Sequence, residues 1–390
     1  MSFLKKEIRQ QLFVIAYIVF LTTTIMSCYS QYGYMDGIGV VLSLLRKASL
    51  ALVLFKLLLD LIARDFSIKE ILFIGAVGSL LLISAYITRS ISLVVYWIFI
   101  VGAHNIEFNK IIKIALIIHI ATLVFTIASS YAGVIDNVIY YRYGIDKNVE
   151  RESLGFTYAT ESSHMLFYTI LLWIYYRKDK ILPAEWIIML AGIIFLYCKT
   201  DTKNAAALGM AAVAGSIILK YSTVLRNYHR WYTLIGVCIV PILAGFIIYI
   251  SVIFTYDNAF LLKLNEIVTG RLQLGHSGIE NYGVSLFGQP IVWNGAVQKD
   301  AVYNYVDSSY LQILLNYGIS ILALILTAAV ATGIEIGKKK DTYLLLVLVM
   351  IAMHTTFDPH LMWPGFNTFV MVYSYFKLKE NDNYTTVTDS

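Results

Sequence analysis

Arginines, carboxylates and tyrosines gather in two polar stretches of an otherwise apolar chain. The first runs through Tyr140, Tyr141, Arg142, Tyr143 and Gly144, then Arg151-Glu152-Ser153-Leu154-Gly155-Phe156, Tyr158 and Glu161, with His164 one helical turn further on. The second, Thr255 to Tyr310, spreads Arg271, His276, Glu280, Asp300 and Asp307 through glycine-rich, aromatic sequence. A guanidinium is a planar fork of donors that suits phosphate or pyrophosphate, and a tyrosine ring is a flat face on which a sugar can stack. Glu161 and His164 share one face of any helix that begins there, and Thr160 and Ser162 are candidate caps for it. Arg151 between Glu150 and Glu152 also has a plainer reading, as a local ion pair worth under about 1 kcal/mol.

The rest of the chain must hold these stretches in place. Of its 390 residues, 58% are hydrophobic and 14% charged, against roughly 45–50% and 25% in soluble domains. A lipid-facing surface needs apolar side chains, so the class is a polytopic integral membrane protein. The net charge of +5 falls in short basic runs between apolar segments. That is the pattern of topology signals, not of a nucleic-acid partner. Cys28, Cys198 and Cys238 form no CxxC and have no histidine at metal spacing, so they read as small packing residues. Ile25-Met26-Ser27-Cys28 faintly resembles a lipoprotein cleavage site, but the many later spans argue against that, and no cleaved signal peptide is expected.

About 20 apolar residues cross the hydrocarbon. Twelve segments qualify, at 10–29, 38–60, 70–87, 91–103, 112–132, 160–176, 182–198, 204–220, 231–254, 309–333, 342–357 and 362–378. The fourth is short and reads as a tilted, protein-buried helix, with eleven spans as the rival count. The expectation is one all-α transmembrane domain over 1–390 with two long loops, 133–159 and 255–308. Lys5, Lys6, Arg9, Arg64, Lys69, Lys110, Lys113, Arg177, Lys178, Lys338, Lys339, Lys340, Lys377 and Lys379 then share one side, which the positive-inside rule makes cytoplasmic. Both termini are inside and both long loops outside. The polar run 381–390 reads as a solvated extension.

The second span carries Arg46, Lys47 and Lys56. Lys56 is close enough to the inner end to snorkel. Central cations cost about 2.5–3.5 kcal/mol each, so Arg46 and Lys47 either hold an anionic group entering from the outer leaflet or snorkel to the outer interface. His104 and His119 read as packing or interface residues.

Thr269-Gly270-Arg271-Leu272, then Leu286-Phe287-Gly288, Asp307-Ser308-Ser309-Tyr310-Leu311 and Leu314-Leu315-Asn316-Tyr317-Gly318-Ile319 resemble the Wzy-type polysaccharide polymerases of the O-antigen polymerase and ligase superfamily. Arg151 to Phe156 is similar to an Arg-x-x-x-Gly-Phe element of capsule members. The motifs cover about forty residues; a usual His-Pro-Asn is Tyr158-Ala159-Thr160 here, and His276-Ser277 followed by Gly288 is one residue out of step with a ligase signature. The resemblance implies a GT-C-like fold in the bacterial cytoplasmic membrane and inverting glycosyl transfer without a metal, cofactor or nucleotide sugar. Donor and acceptor are polyprenyl-pyrophosphate-linked oligosaccharides, with membrane lipid, a flippase and a chain-length regulator as partners. Arg151, Arg271, Arg142 and Arg46 would bind the pyrophosphate. Tyr141, Tyr158 and Tyr310 would contact sugar. Glu161, His276 or Asp307 would take the proton from the attacking hydroxyl, with capping of the tenth span as the alternative for Asp307 and a solvated loop as that for His276. Rival readings are an O-antigen-type ligase, differing only in acceptor, and a transporter or lipid-linked glycan flippase, which predicts internal repeats.

Overall fold

The computed structural model describes residues 5–142, 149–227, 229–295, 297 and 302–372. Tyr143, Gly144, Asp300, Lys377, Lys379 and the 381–390 tail lie outside the described residues. The apolar runs become helices: α1 (Lys6–Cys28), α2 (Ile38–Ile62), α3 (Ile68–Thr88), α4 (Ser92–Gly102) and α5 (Phe108–Tyr131). A hairpin of β1 (Ile139–Arg142) and β2 (Val149–Glu152) follows. Then come α6 (Glu161–Arg177), α7 (Pro183–Thr200), α8 (Lys203–Tyr221), α9 (Thr223–Arg226), α10 (Arg230–Val252), α11 (Ala259–Ile267) and α12 (Arg271–Tyr282). The last helices are α13 (Ser309–Gln312), a π-helical turn at Ile313–Tyr317, α14 (Gly318–Lys339) and α15 (Thr342–Phe357).

Among the described residues, eight helical runs are long and apolar enough to cross a membrane: α1, α2, α3, α5, α7, α8, α10 and the continuous α13-to-α14 segment. α4 and α15 are apolar but shorter. Large apolar side chains such as Val40, Leu44, Leu72 and Ile187 lie exposed, an arrangement suited to lipid and not to water. The fold is that of an all-α polytopic membrane protein. The span expected at 362–378 is corrected where it is described: residues 361–367 are turn, followed by a 3-10 turn at Thr368–Met371. Pro364, Gly365 and Asn367 break the helical pattern there, and a Cβ on Gly365 would stand 2.3 Å from the Tyr29 ring.

The chain forms two compact units. Unit one is Met1–Ile71, Trp97–Arg226 and Pro364–Ser390, and unit two is Leu72–Tyr96 and Asn227–Trp363. In unit one, the end of α1, the start of the segment before α2 and the chain after β2 meet: Gln31 N–H donates to Gly155 O, Thr157 N–H to Tyr29 O, and Ser30 bridges Phe156. Leu154 and Gly155 both have positive φ, 53° and 83°. A Cβ on Gly155 would lie 2.9 Å from Thr126 O, so the glycine of the Arg-x-x-x-Gly-Phe element is required by close backbone approach.

A charge quartet, three of its members buried and Asp65 partly exposed, occupies unit one. Arg9 Nη1 is 2.6 Å from both Asp60 Oδ1 and Asp65 Oδ2. Lys56 Nζ lies 2.5 Å from Asp60 Oδ2 and donates to Gly102 O and His104 O at 2.8 and 2.9 Å. Lys56 therefore does not snorkel. Asp60, one turn along α2, lets it stay inside, because two cations and two carboxylates sum to zero. Lys56→Met is expected to lower stability by about 3–5 kcal/mol by leaving a buried charge short of its counter-ion. Thermal unfolding in detergent checks this, and an unchanged midpoint would contradict it.

In unit two, α10 approaches α14 closely: a Cβ on Gly333 would lie 2.3 Å from the Gly236 carbonyl, so this crossing needs small residues. The Leu286-Phe287-Gly288 and Asn316-Tyr317-Gly318 elements dock on each other. Gln289 N–H donates to Asn316 O at 2.9 Å, and Gln289 Nε2 donates to Tyr282 O and Leu315 O. Gly288 and Gly318 have φ of 98° and 87°, and a Cβ on Gly318 would stand 2.5 Å from Gly288 N. Gly318→Ala is expected to destabilise unit two by at least about 1–3 kcal/mol. A lowered unfolding midpoint is the readout, and an alanine variant as stable as the parent would refute the close approach.

Candidate functional site

Antiparallel register decides which loop residues face together. β1 and β2 pair Tyr140 with Arg151, Ile139 with Glu152 and Tyr141 with Glu150. Side chains alternate between faces, so Arg151 points inward while Tyr141 and Glu150 point out, Tyr141 being 54% exposed. An isolated hairpin is marginal, and this one is tied down at its base. Leu154 N–H donates to Asn137 Oδ1, Val138 N–H to Ser153 Oγ, and Lys199 pairs with Glu152 at 2.7 Å. The plainer reading, a local pair of Arg151 with its flanking glutamates, is not formed among the described residues: Glu152 pairs with Lys199 and Glu150 points out.

Arg151 is only 6% exposed. Its Nε donates to Thr200 O at 2.6 Å, its Nη1 reaches the Tyr158 hydroxyl at 3.4 Å, and the guanidinium lies 5.6 Å from the Tyr158 ring centroid. No carboxylate forms an ion pair with it among the described residues. Thr200 ends α7, whose C-terminal carbonyls carry roughly half a negative charge, a partial compensation only. Burial lowers the Arg151 pKa; Tyr158 opposes that, Arg142 adds to it, and Asp201 opposes it again. Arg142, by contrast, is matched: its Nη1 lies 2.8 Å from Asp201 Oδ2 and its Nη2 donates to Asp201 O.

Tyr140 completes this group. Its ring meets Tyr158 edge-on at 4.7 Å and its hydroxyl donates to Thr157 O at 2.7 Å. Burial, with the neighbouring Tyr158, Tyr34 and Glu161, pushes its phenol up to about 12. Glu161 opens α6 on the same side, and its Oε2 is buried with no hydrogen-bond partner among the described residues. Neither Thr160 nor Ser162 caps α6; Thr160 occupies the cap position without a side-chain bond and Ser162 Oγ makes none. Arg151, Arg142, Tyr140 and Tyr158 thus form one site within unit one, and Glu161 lies near enough to Tyr140 to act on its phenol. The site offers a buried cation and aromatic faces.

Arg46 is not part of it. It donates from Nη1 to Ser27 Oγ and Cys28 Sγ at 3.1 and 2.7 Å, on the α1–α2 surface.

In unit two, Arg271 opens α12, and its charge is answered locally. Nη2 lies 3.5 Å from Asp358 Oδ1, Nε lies 4.0 Å from Asp307 Oδ2, and Nε donates to Phe357 O at 2.8 Å. Burial lowers its pKa, but Asp358 and Asp307 together outweigh this and raise it. Asp307 faces Arg271 because the neighbouring Ser308 takes the cap, accepting from Leu311 N–H. His276, five residues along α12, is turned about 140° away from Arg271. Its Nδ1 contacts Ser251 O at 3.0 Å and its Nε2 stands 3.3 Å from Glu280. Tyr310, expected to contact sugar, is instead fully buried and donates to Ala352 O at 3.3 Å.

Sequence reasoning passed over Asp358 and His354. His354 Nε2 lies 3.7 Å from Asp358 Oδ2, with both side chains under 5% exposed. The signal was the run His354-Thr355-Thr356-Phe357-Asp358-Pro359-His360, polar chemistry at the end of an apolar span. Comparison with protein-family models, with curated proteins and with solved structures returns no match to this chain.

Proposed function

We propose that the chain is a membrane glycosyltransferase that joins polyprenyl-pyrophosphate-linked oligosaccharide repeat units at the outer face of a bacterial cytoplasmic membrane. One observation carries this reading: the Arg151 guanidinium is buried and forms no ion pair with a carboxylate among the described residues. A buried cation of this kind is costly unless an anion completes it, and a departing diphosphate is an anion whose charge grows in the transition state. Donors already in place there lower the barrier most.

In this reaction the acceptor hydroxyl oxygen forms a bond to the anomeric carbon as the bond to the diphosphate oxygen breaks. The electron pair leaves with the polyprenyl diphosphate, and the configuration inverts. Of the three candidate bases, Glu161 fits best. Its buried Oε2 accepts no hydrogen bond among the described residues, and it lies near Tyr140, whose ring meets Tyr158 beside Arg151. His276 faces Glu280 and Asp307 faces Arg271. Tyr158 and Tyr140 supply the faces for sugar. Arg142, matched by Asp201, positions the hairpin, and Arg271 organises unit two around Asp358.

Purified protein in liposomes, given a synthetic polyprenyl-diphosphate repeat unit, is expected to produce a ladder of longer products, with EDTA leaving the rate unchanged. A single product made only when a lipid A-type acceptor is added would identify a ligase. Movement of the lipid between leaflets with no new glycosidic bond would identify a flippase, and either outcome would end the polymerase reading.

A further inference from the structure

We infer that Arg46 and Lys47 form a binding site for the phosphate of an anionic glycerophospholipid, distinct from the diphosphate site on Arg151. α2 is the least buried candidate span: 11% of its apolar window is buried, against 50% for α1 and α5. Val41, Leu44 and Leu45 are exposed beside the two cations, as is Lys47 itself. This face meets acyl chains.

Arg46 lies eight residues past Ile38, so its Cα is about 12 Å below the start of α2 at 1.5 Å per residue. Its head does not stay at that level. The bonds to Ser27 and Cys28 set the guanidinium beside the last turn of α1, where long cationic side chains reach the headgroup layer. Lys47 follows about 100° round the helix and has no hydrogen-bond or ion-pair partner among the described residues. The partners of Arg46 are a hydroxyl and a sulfur, so no carboxylate balances either charge among the described residues.

Two cations at the headgroup layer attract an anion. No described carboxylate is paired with them, and the bilayer supplies phosphate in bulk. The polyprenyl diphosphate is a weaker candidate occupant. A site for a scarce ligand needs convergent donors, as around Arg151, whereas an open helix face is filled by whichever ligand is in excess.

The test uses the full chain in nanodiscs of phosphatidylcholine alone or of phosphatidylcholine mixed with phosphatidylglycerol. Phosphatidylglycerol is expected to raise the unfolding midpoint of the parent protein. In the Arg46→Gln/Lys47→Gln variant the preference for phosphatidylglycerol should fall about 30-fold, roughly fivefold for each cation lost. Lys47→Gln alone, which removes no hydrogen bond or ion pair with another described residue, should show a single fivefold step, and it decides the matter if the double variant fails to fold. Equal preference in parent and variants overturns the proposal. So does a shift that depends on both cations but is produced by polyprenyl diphosphate in phosphatidylcholine discs and not by phosphatidylglycerol. Because polymer formation is not the readout, failure here leaves the glycosyltransferase reading standing, and the reverse.

Discussion

Arg151→Ala is expected to reduce product formation by about 10²–10³-fold, the usual effect of removing one donor aimed at developing negative charge. Its unfolding midpoint should stay level or rise. The two effects separate because Arg151 forms no ion pair among the described residues, so its removal strands no buried carboxylate. What stability loses is one bond to Thr200 O and the contact with the Tyr158 ring. What it gains is relief from burying a charge that α7 only half compensates. Arg151→Lys should recover little activity, since an ammonium lacks the planar fork that grips two phosphate oxygens. Turnover in liposomes and thermal unfolding on the same preparations provide the check. If the alanine variant turned over normally, the diphosphate would not sit on Arg151. If it unfolded many degrees lower, the arginine would be a structural post.

Arg271→Ala is expected to behave in the opposite way, losing about 3–5 kcal/mol of stability and with it the protein level in the membrane. From sequence alone, Arg151 and Arg271 have the same role, and either substitution would be expected to leave folding intact. The tertiary contacts distinguish them. Arg271 lies between Asp358, only 4% exposed, and Asp307, and ties down the end of α15 through Phe357 O. Its removal leaves the buried Asp358 carboxylate without its cation, with Asp307 close by and only partly exposed. Asp358→Asn added to Arg271→Ala should restore much of the loss by deleting the stranded charge, whereas the same second change on Arg151→Ala should restore nothing. Unfolding midpoints of the four proteins test this. If Asp358→Asn failed to rescue, electrostatic stranding would not be the cause.

Composition and periodicity alone determined that this is a helical membrane protein, and they located most of its long apolar helices, because a bilayer accepts only long apolar runs with internally satisfied backbones. The resemblance, not composition or periodicity, proposed Arg151, Tyr158 and Glu161, with Arg142, Arg271, Arg46, Tyr141, Tyr310, His276 and Asp307, for a glycosyl diphosphate. The tertiary structure decided which of those residues lie near one another. The hairpin register put Arg151 inside and Tyr141 outside, Ser308 took the cap that Asp307 could have filled, and Asp60 drew Lys56 into the interior. Lys56 and Asp60 are only one helical turn apart, but the groups that hold them inside, Gly102 O and Arg9, are 46 and 51 residues away, and Asp307 meets Arg271 from across the 255–308 loop; pairing energies across such separations leave no trace in local spacing. That is also why Asp358, an acid after the last helix with nothing periodic around it, became visible only once Arg271 was found beside it.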